Sequence, residues 1–107
     1  MELDLEKFEA PIVDGVDLTY IEGYLSYAIS KQGQIYSFSK KEFITPSENK
    51  NGFLTVVLSK NAKRKWFYVH YLVAITFIKN PNNHGYVTHL DGNRKNNCVD
   101  NLTLFAL

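Results

Sequence analysis

The hydrophobic positions fall in short runs separated by polar turns, a pattern typical of small antiparallel strands. Residues 24–38 hold two such runs on either side of a turn that ends at Gly33, which predicts a hairpin. Residues 53–59 and 65–69 are rich in β-branched and aromatic side chains and predict a second hairpin, with residues 60–63 as its turn. Much of the fold is therefore expected to be antiparallel β-structure.

One longer apolar segment predicts the helix of the fold. Residues 70–78 read HYLVAITFI, which suits a buried helix packed on the second hairpin, and the Asn-Pro-Asn-Asn segment at 80–83 ends it. A last strand is predicted at 86–88. Residues 1–18 have no sustained period and are expected to form an acidic arm ahead of a single domain over 19–107. The predicted fold class is α+β, with small antiparallel hairpins around one central helix.

Composition limits the broad class of protein. A chain of 107 residues with 45% apolar content is expected to form one domain with a modest core. The single cysteine, Cys98, has no internal disulfide partner and is expected to stay reduced. No apolar run is long enough to span a bilayer, and the N-terminus has no secretory pattern. The expectation is a cytoplasmic protein with no membrane partner.

The charge distribution favours a polyanionic partner. Residues 1–25 carry seven acidic residues and one lysine, a net charge of −6, whereas residues 26–107 carry eleven basic and four acidic residues, a net charge of +7. Part of the basic charge lies in a run beside three aromatic residues, Trp66, Phe67 and Tyr68. Lysine and arginine contact phosphates and aromatic rings stack on bases, although a plain solvated surface fits the same charges. The residues predicted to contact nucleic acid are Lys60, Lys63, Arg64, Lys65, Arg94 and Lys95.

Residues 87–102 read VTHLDGNRKNNCVDNL and are the candidate for chemistry. A neutral imidazole such as that of His89 can take a proton from water near pH 7. The Asp-Gly-Asn and Asn-Asn pairs that follow are also ordinary turn residues, whose side chains bond their own backbone. The segment is therefore either a loop that closes the fold or a reactive site.

Two segments resemble a known family. Residues 21–37, IEGYLSYAISKQGQIYS, are similar to the nuclease-associated module found ahead of HNH homing endonucleases of phages and mobile introns. Residues 51–102 are similar to the HNH body that follows this module, and HLDGNRKNN followed by Asn101-Leu102 is the best-matching motif. The resemblance implies a DNA-binding nuclease fold for residues 19–107, with a C-terminal ββα-metal element.

The resemblance also implies roles for individual residues. His89 matches the general base and Asn101 matches the asparagine that orients its ring. The residues that match the loop shaping the site are Asp91, Gly92, Asn93, Asn96 and Asn97. A divalent metal, Mg²⁺, would stabilise charge on the phosphate, since hard oxygen ligands suit it.

Three features of the sequence depart from the family pattern. Thr88 stands where the family has an Asp or Asn metal ligand. The family continues after Asn-Leu into a helix that carries the last ligand, whereas this sequence ends at Leu107, so the ββα element is expected to be truncated and its metal site incomplete. Tyr71 replaces an arginine that would contact phosphate. Weak or absent cleavage is the resulting expectation.

The other two histidines are interpreted more simply. His70 opens the predicted helix, which favours a structural, hydrogen-bonded histidine over a direct role. His84 lies in a polar turn and is expected to be solvent exposed.

Three functions stay open at this point. The first is a DNA-binding protein derived from an HNH endonuclease, with little cleavage. The second is a phage-type interaction protein that blocks a host defence enzyme or sequesters a small nucleotide. The third is an active metal-dependent nicking endonuclease completed by a partner, and exposed aromatic residues make a homo-oligomer an expected form.

Overall fold

The computed structural model describes residues 9–78 and 86–105 and confirms the α+β class. His84, the predicted helix stop at 80–83 and the first eight residues of the arm lie outside the described residues. Among the described residues, no helix is both long enough and apolar enough to cross a membrane.

The first sheet is built around the predicted hairpin and is fully antiparallel. Its strands, in spatial order, are β1 (Thr19–Ile21), β2 (Tyr24–Ile29), β3 (Ile35–Ser37) and β4 (Glu42–Ile44). The β2–β3 pair was predicted from the hydrophobic pattern. Strands β1 and β4 were not predicted, because they have only three residues each and so show little alternation.

The described part of the acidic arm lies against this sheet. Glu9 bridges to Thr19, and the Ala10 amide donates to the Leu18 carbonyl at 3.1 Å. Ala10 and Leu18 are buried with Ala28 in a small second core. The division of the chain at residue 18 stays a prediction, but residues 9–18 pack on the first sheet instead of extending from it.

The second sheet contains the predicted second hairpin. Its strands are β5 (Ser47–Glu48), β6 (Leu54–Lys60) and β7 (Lys63–Tyr68), again antiparallel. The turn consists of Asn61 and Ala62 alone, with φ angles of 53° and 64°, so it is two residues shorter than predicted. Two consecutive positive φ values give a turn whose twist matches the flanking strands, which explains why pairing continues to Lys60 and Lys63.

Helix α1 (Val69–Phe77) confirms the predicted helix with a shift of one residue. It is followed by β8 (Tyr86–His89), a 3₁₀ turn (Val99–Asn101) and β9 (Leu102–Phe105). Strands β8 and β9 pair antiparallel, with His89 opposite Leu102. Strand β9 was not predicted, and its alternating Leu-Thr-Leu-Phe sequence is only four residues long.

One hydrophobic core joins these elements. Val69, Leu72 and Val73 of α1 are buried among side chains from both sheets and from β9. The side chains that α1 meets there include Ile29 and Ile35 of the first sheet, Val56 and Leu58 of the second, and Leu102. The end of β8, which carries His89, is thus held in place by the same core as the two sheets.

Candidate functional site

His89 is the last residue of β8, and its half-buried ring contacts a buried asparagine. His89 Nε2 lies 2.7 Å from Asn97 Oδ1, and Asn97 is only 3% exposed. With Asn97 Oδ1 facing the ring, the tautomer that makes this contact carries its proton on Nε2, because a carbonyl oxygen can only accept. Nδ1 is then the ring nitrogen with a lone pair, and it is the atom that could take a proton from water.

Asn97, and not Asn101, is the residue that contacts the His89 ring. The Asn101 side chain instead holds the loop: its Oδ1 accepts from the Asp91 amide at 3.1 Å, and its Nδ2 donates to Asp91 Oδ1 and the Asn96 carbonyl, both at 2.9 Å. His89 and Leu102 are paired across the ladder, so Asn101 emerges beside Asp91 at the start of the loop. The predicted contact between Asn101 and His89 is therefore corrected, and a catalytic role for either residue stays a prediction.

The segment 90–101, called here the asparagine loop, is closed by its own polar side chains. Asp91 Oδ1 accepts from the Asn93 amide at 2.7 Å, and Asp91 Oδ2 accepts from Asn96 Nδ2 at 2.9 Å. Asn93 Oδ1 accepts from the Lys95 amide at 3.0 Å. The hydrogen bonds from Asn96, Asn93 and Asn101 lower the pKa of Asp91. The structure therefore places Asp91, Asn93 and Asn96 where they shape the loop.

The asparagine loop docks on the turn between β2 and β3. The Val99 amide donates to the Lys31 carbonyl at 2.7 Å. Gly33 has a φ of +89°, and a Cβ there would lie 3.2 Å from the Asn97 Cβ and 3.3 Å from a Val69 methyl group. The turn is itself organised by the Ser30 hydroxyl, which accepts from the amides of Gln32 and Gln34. The turn from Ser30 to Gly33 thus forms the surface against which Asn97 packs.

Aromatic rings enclose the other side of His89, and we call Phe53, Tyr68, His70 and His89 the histidine cluster. The centroid of the His70 ring lies 4.9 Å from that of His89 in an edge-on arrangement, and 5.0 Å from that of Tyr68, on which it stacks. Phe53 lies 5.3 Å from His70 and 6.2 Å from His89 between centroids. Two elements that are distant in the sequence, the second sheet and β8, therefore meet at this cluster.

His70 is buried, as its place in the helix predicted, and one of its two ring nitrogens has no hydrogen-bond partner among the described residues. Only 8% of the residue is exposed, and its Nδ1 has no hydrogen-bond partner within residues 9–78 and 86–105. Burial, and then the nearby His89, lower the pKa of His70 to about 4. The ring is therefore neutral at physiological pH.

The strand register divides the predicted basic run between two faces of the second sheet. Arg64, Trp66 and Tyr68 lie on one face, opposite Ser59, Val57 and Thr55, and we call these three residues the outer row. Trp66 is 57% exposed, and its ring centroid lies 5.1 Å from that of Tyr68.

The three lysines of the run lie on the opposite face, at its edge. Lys60 Nζ is 5.6 Å from the centroid of the Tyr24 ring, and Lys65 Nζ is 5.4 Å from that of Phe67. Lys63 pairs with Lys60 at the end of the ladder. Lys60 and Lys65 therefore cover aromatic side chains of their own chain, and only Arg64 of this run shares a face with Trp66.

Arg94 and Lys95, also predicted to contact nucleic acid, link the asparagine loop to the second sheet. The Arg94 guanidinium lies 4.8 Å from the centroid of the Phe53 ring and donates a hydrogen bond to the Asn51 carbonyl. Lys95 Nζ lies 2.6 Å from Glu48 Oε1. Both side chains are exposed and can also face a ligand, but their contacts here brace the loop.

The described residues near His89 do not by themselves fit a Mg²⁺ site. Thr88, the residue before His89, offers a neutral hydroxyl, and both oxygens of Asp91 already accept hydrogen bonds within the loop. No group of three or more His, Cys, Asp or Glu side chains with metal-binding geometry occurs in the part of the chain that the structure describes. Mg²⁺ prefers several hard oxygen ligands in octahedral geometry, and these described residues do not supply such a set.

The resemblance to HNH endonucleases predicted a histidine at the end of a strand beside an asparagine-rich loop, with Asn101 and not Asn97 as its partner. A NUMOD4 motif is matched over residues 19–59. This chain superposes on a solved structure of the HNH homing endonuclease I-HmuI, described as showing DNA binding and cleavage, with a TM-score of 0.79 at 34% identity. The match covers 83% of this chain and 52% of that one. The chain is thus a homologue of these HNH endonucleases over part of their length and shares the fold of the matched part of I-HmuI.

Sequence comparison agrees with the structural match. DNA endonuclease I-HmuI of Bacillus phage SP01 is 36% identical over 86 residues, which are 80% of this chain and 48% of that protein. Two uncharacterized HNH endonucleases of Acanthamoeba polyphaga mimivirus are each 37% identical, over 91% and 95% of this chain. The chain spans 28% and 23% of those two relatives, so it corresponds to a part of their length.

Proposed function

We propose that this chain is a DNA-binding part of an HNH-type endonuclease, in which duplex DNA lies along the outer row and reaches His89. One observation carries the proposal: the outer row continues through His70 to His89, with successive ring centroids 5.1, 5.0 and 4.9 Å apart from Trp66 to His89. A relative whose structure is described as binding and cleaving DNA supports a DNA partner.

The outer row has the chemistry and the shape for this partner. An arginine pairs with phosphate or with the edge of guanine, and an exposed tryptophan supplies a flat apolar surface against sugar or base. A two-stranded β-ribbon such as β6–β7 fits the major groove of B-DNA. The lysines on the opposite face would raise the local positive potential without direct contact.

Replacing Arg64 or Trp66 with alanine is expected to weaken duplex binding by about 5- to 30-fold, which corresponds to 1–2 kcal/mol. For Arg64→Ala the slope of log K against log salt should also become shallower by about one unit, because one phosphate contact is lost. A duplex titration at several salt concentrations measures both quantities.

Lys65→Ala is the matched control, since it removes one positive charge from the next position of the same strand but from the opposite face. Its effect on duplex binding should be at most about 3-fold, as expected of a charge that acts through the general field. Equal weakening by Arg64→Ala and Lys65→Ala would show that only net charge matters, and no binding of the wild type at low salt would overturn the proposal.

We also propose that cleavage by this chain alone is weak. The hydrogen bond to Asn97 leaves Nδ1 of His89 able to accept a proton from water, but Thr88 brings a neutral hydroxyl where the family pattern has a metal ligand. The finer alternatives, namely a host-protein partner, a nucleotide ligand and a homo-oligomer, stay predictions.

Plasmid nicking with Mg²⁺ or Mn²⁺ measures the remaining activity. We expect slow nicking by the wild type and a further loss of about 10²- to 10⁴-fold in His89→Ala, the range for removing a general base. Thr88→Asp, which adds a carboxylate beside His89, should nick the plasmid faster than the wild type does in the presence of Mg²⁺. Equal rates for wild type and His89→Ala would contradict a catalytic role for His89.

A further inference from the structure

We propose that His70 is a positioning residue for His89. The buried neutral ring of His70 fixes the plane of the His89 imidazole, while Asn97 fixes one of the imidazole nitrogens. The inference rests on the proposed function only in taking His89 as the proton acceptor. It assigns a task to the one buried histidine of the described chain, which is 8% exposed and in ring contact with His89.

One hydrogen bond does not define the orientation of a ring. The contact between His89 Nε2 and Asn97 Oδ1 restrains a single atom, and the imidazole can still tilt about that bond. A second restraint must come from packing against the ring itself. His70 supplies it, because its centroid is 4.9 Å from that of His89 and the two planes are at 68°.

His70 is suited to be a rigid wall because it is itself held on two sides. It is the second residue of α1, stacks on Tyr68 with 26° between the ring planes, and lies against Phe53 at 5.3 Å. The backbone next to it is anchored by Val69, which is 1% exposed in the main core. A ring with these contacts has little freedom to change its rotamer.

The charge state of His70 matters as much as its position. When His89 takes a proton it becomes a cation, and a second cation 4.9 Å away would oppose that step. His70 lies in the first turn of a helix that has no acidic residue there, so the helix terminus also disfavours its protonation. The Arg94 guanidinium, which lies over Phe53 of the cluster, acts in the same direction.

The unpartnered Nδ1 of His70 fits this task better than a structural hydrogen bond does. A buried polar atom without a partner costs free energy, and a phenylalanine of similar shape would avoid that cost. The His70 ring packs against both His89 and Phe53 in the histidine cluster, which is a contact that any flat ring of this size makes. What the site needs from residue 70 is therefore a compact, neutral, flat surface.

The test reads the tautomer of His89 directly, by ¹⁵N NMR of the imidazole nitrogens in the full chain. The chain has only three histidines, and the His89→Ala spectrum assigns the signals of interest. In the wild type we expect one tautomer with the proton on Nε2, above about nine-tenths, as a preference of 1.4 kcal/mol gives. In His70→Ala the second tautomer should rise to about a third or more, because the ring can turn away from Asn97.

His70→Phe is the matched variant, since it keeps a flat ring and removes both nitrogens. We expect it to retain the single tautomer of His89, and it carries the test if His70→Ala does not fold. A folded His70→Ala protein with an unchanged His89 tautomer would overturn the inference, as would a folded His70→Phe protein with averaged tautomers. Duplex binding is measured separately: its absence in the wild type would overturn the proposed function and leave the NMR result standing.

Discussion

Gly33→Ala is expected to lower the free energy of unfolding by roughly 2–4 kcal/mol and to loosen the asparagine loop from the first sheet. Two costs add at this position. An alanine at a φ of +89° is strained, and its Cβ would lie 3.2 Å from the Asn97 Cβ and 3.3 Å from the Val69 side chain. Neither neighbour can move easily, since Asn97 and Val69 are both buried. Chemical denaturation of the wild type and of Gly33→Ala measures the loss in the free energy of unfolding.

Gly23→Ala is the control for backbone strain alone. Gly23 has a φ of +84°, and a Cβ there would meet nothing within 4 Å. Gly23→Ala should lower the free energy of unfolding by about 1–2 kcal/mol. The further loss in Gly33→Ala then measures the contact with the asparagine loop. In Gly33→Ala the ¹⁵N signals of His89 should also change, because Asn97 is displaced, whereas in Gly23→Ala they should not. Equal losses in the two variants would contradict a docking role for the Ser30–Gly33 turn.

Acidification from pH 7 to pH 4 is expected to reduce stability by up to about 3 kcal/mol through His70 alone. Its pKa is about 4 in the folded chain and near the ordinary 6.5 in the unfolded chain. Between these values the unfolded chain binds a proton that the folded chain does not. The loss of stability is therefore absent above about pH 6.5, grows as the pH falls, and levels off only below about pH 4.

Unfolding by urea at pH 7, 5.5 and 4.5 measures this slope in the wild type and in His70→Phe. The variant should lose most of the slope, since residue 70 no longer titrates. Asp91 contributes below this window, because its pKa is lowered from 3.8 and its stabilisation is lost only at more acidic pH. A wild type and a variant with the same slope would contradict the buried, neutral state of His70.

The periodic parts of the fold were predictable from the sequence. The two hairpins and the helix have runs long enough for alternation or for continuous apolar character to be recognised. Strands β1, β4 and β9 have three or four residues and pair only because the rest of the fold presents an edge to them. Their pairing is a tertiary effect that local sequence does not specify.

The partner of His89 was not predictable by spacing alone. The loop offers Asn96, Asn97 and Asn101 within a few residues, and their spacing in the sequence does not distinguish among them. Burial decides among them: Asn97 packs on Gly33 and faces His89, whereas Asn101 turns to Asp91. A contact between two distant segments, the Ser30–Gly33 turn and the loop, makes that choice.

The division of the basic run between two faces had a signal in the sequence. Alternation along a strand places Arg64, Trp66 and Tyr68 together, and the same rule sends Lys63 and Lys65 to the other side. The predicted strand began at Lys65 and not at Lys63, so the alternation was not extended back to Arg64. The clustering of His70 with His89 had no such signal, because it depends on how α1 and β8 pack.

NMR during titration with a short duplex shows whether DNA lies along the outer row and reaches His89. We expect the indole signal of Trp66, the backbone amides around Arg64 and the imidazole signals of His89 to shift together, and the shifts to diminish as salt is raised. The amides of Lys31 to Gly33, which lie behind the loop, should change little. Shifts confined to the first sheet, with the Trp66 and His89 signals unchanged at saturating DNA, would contradict binding of DNA along the outer row.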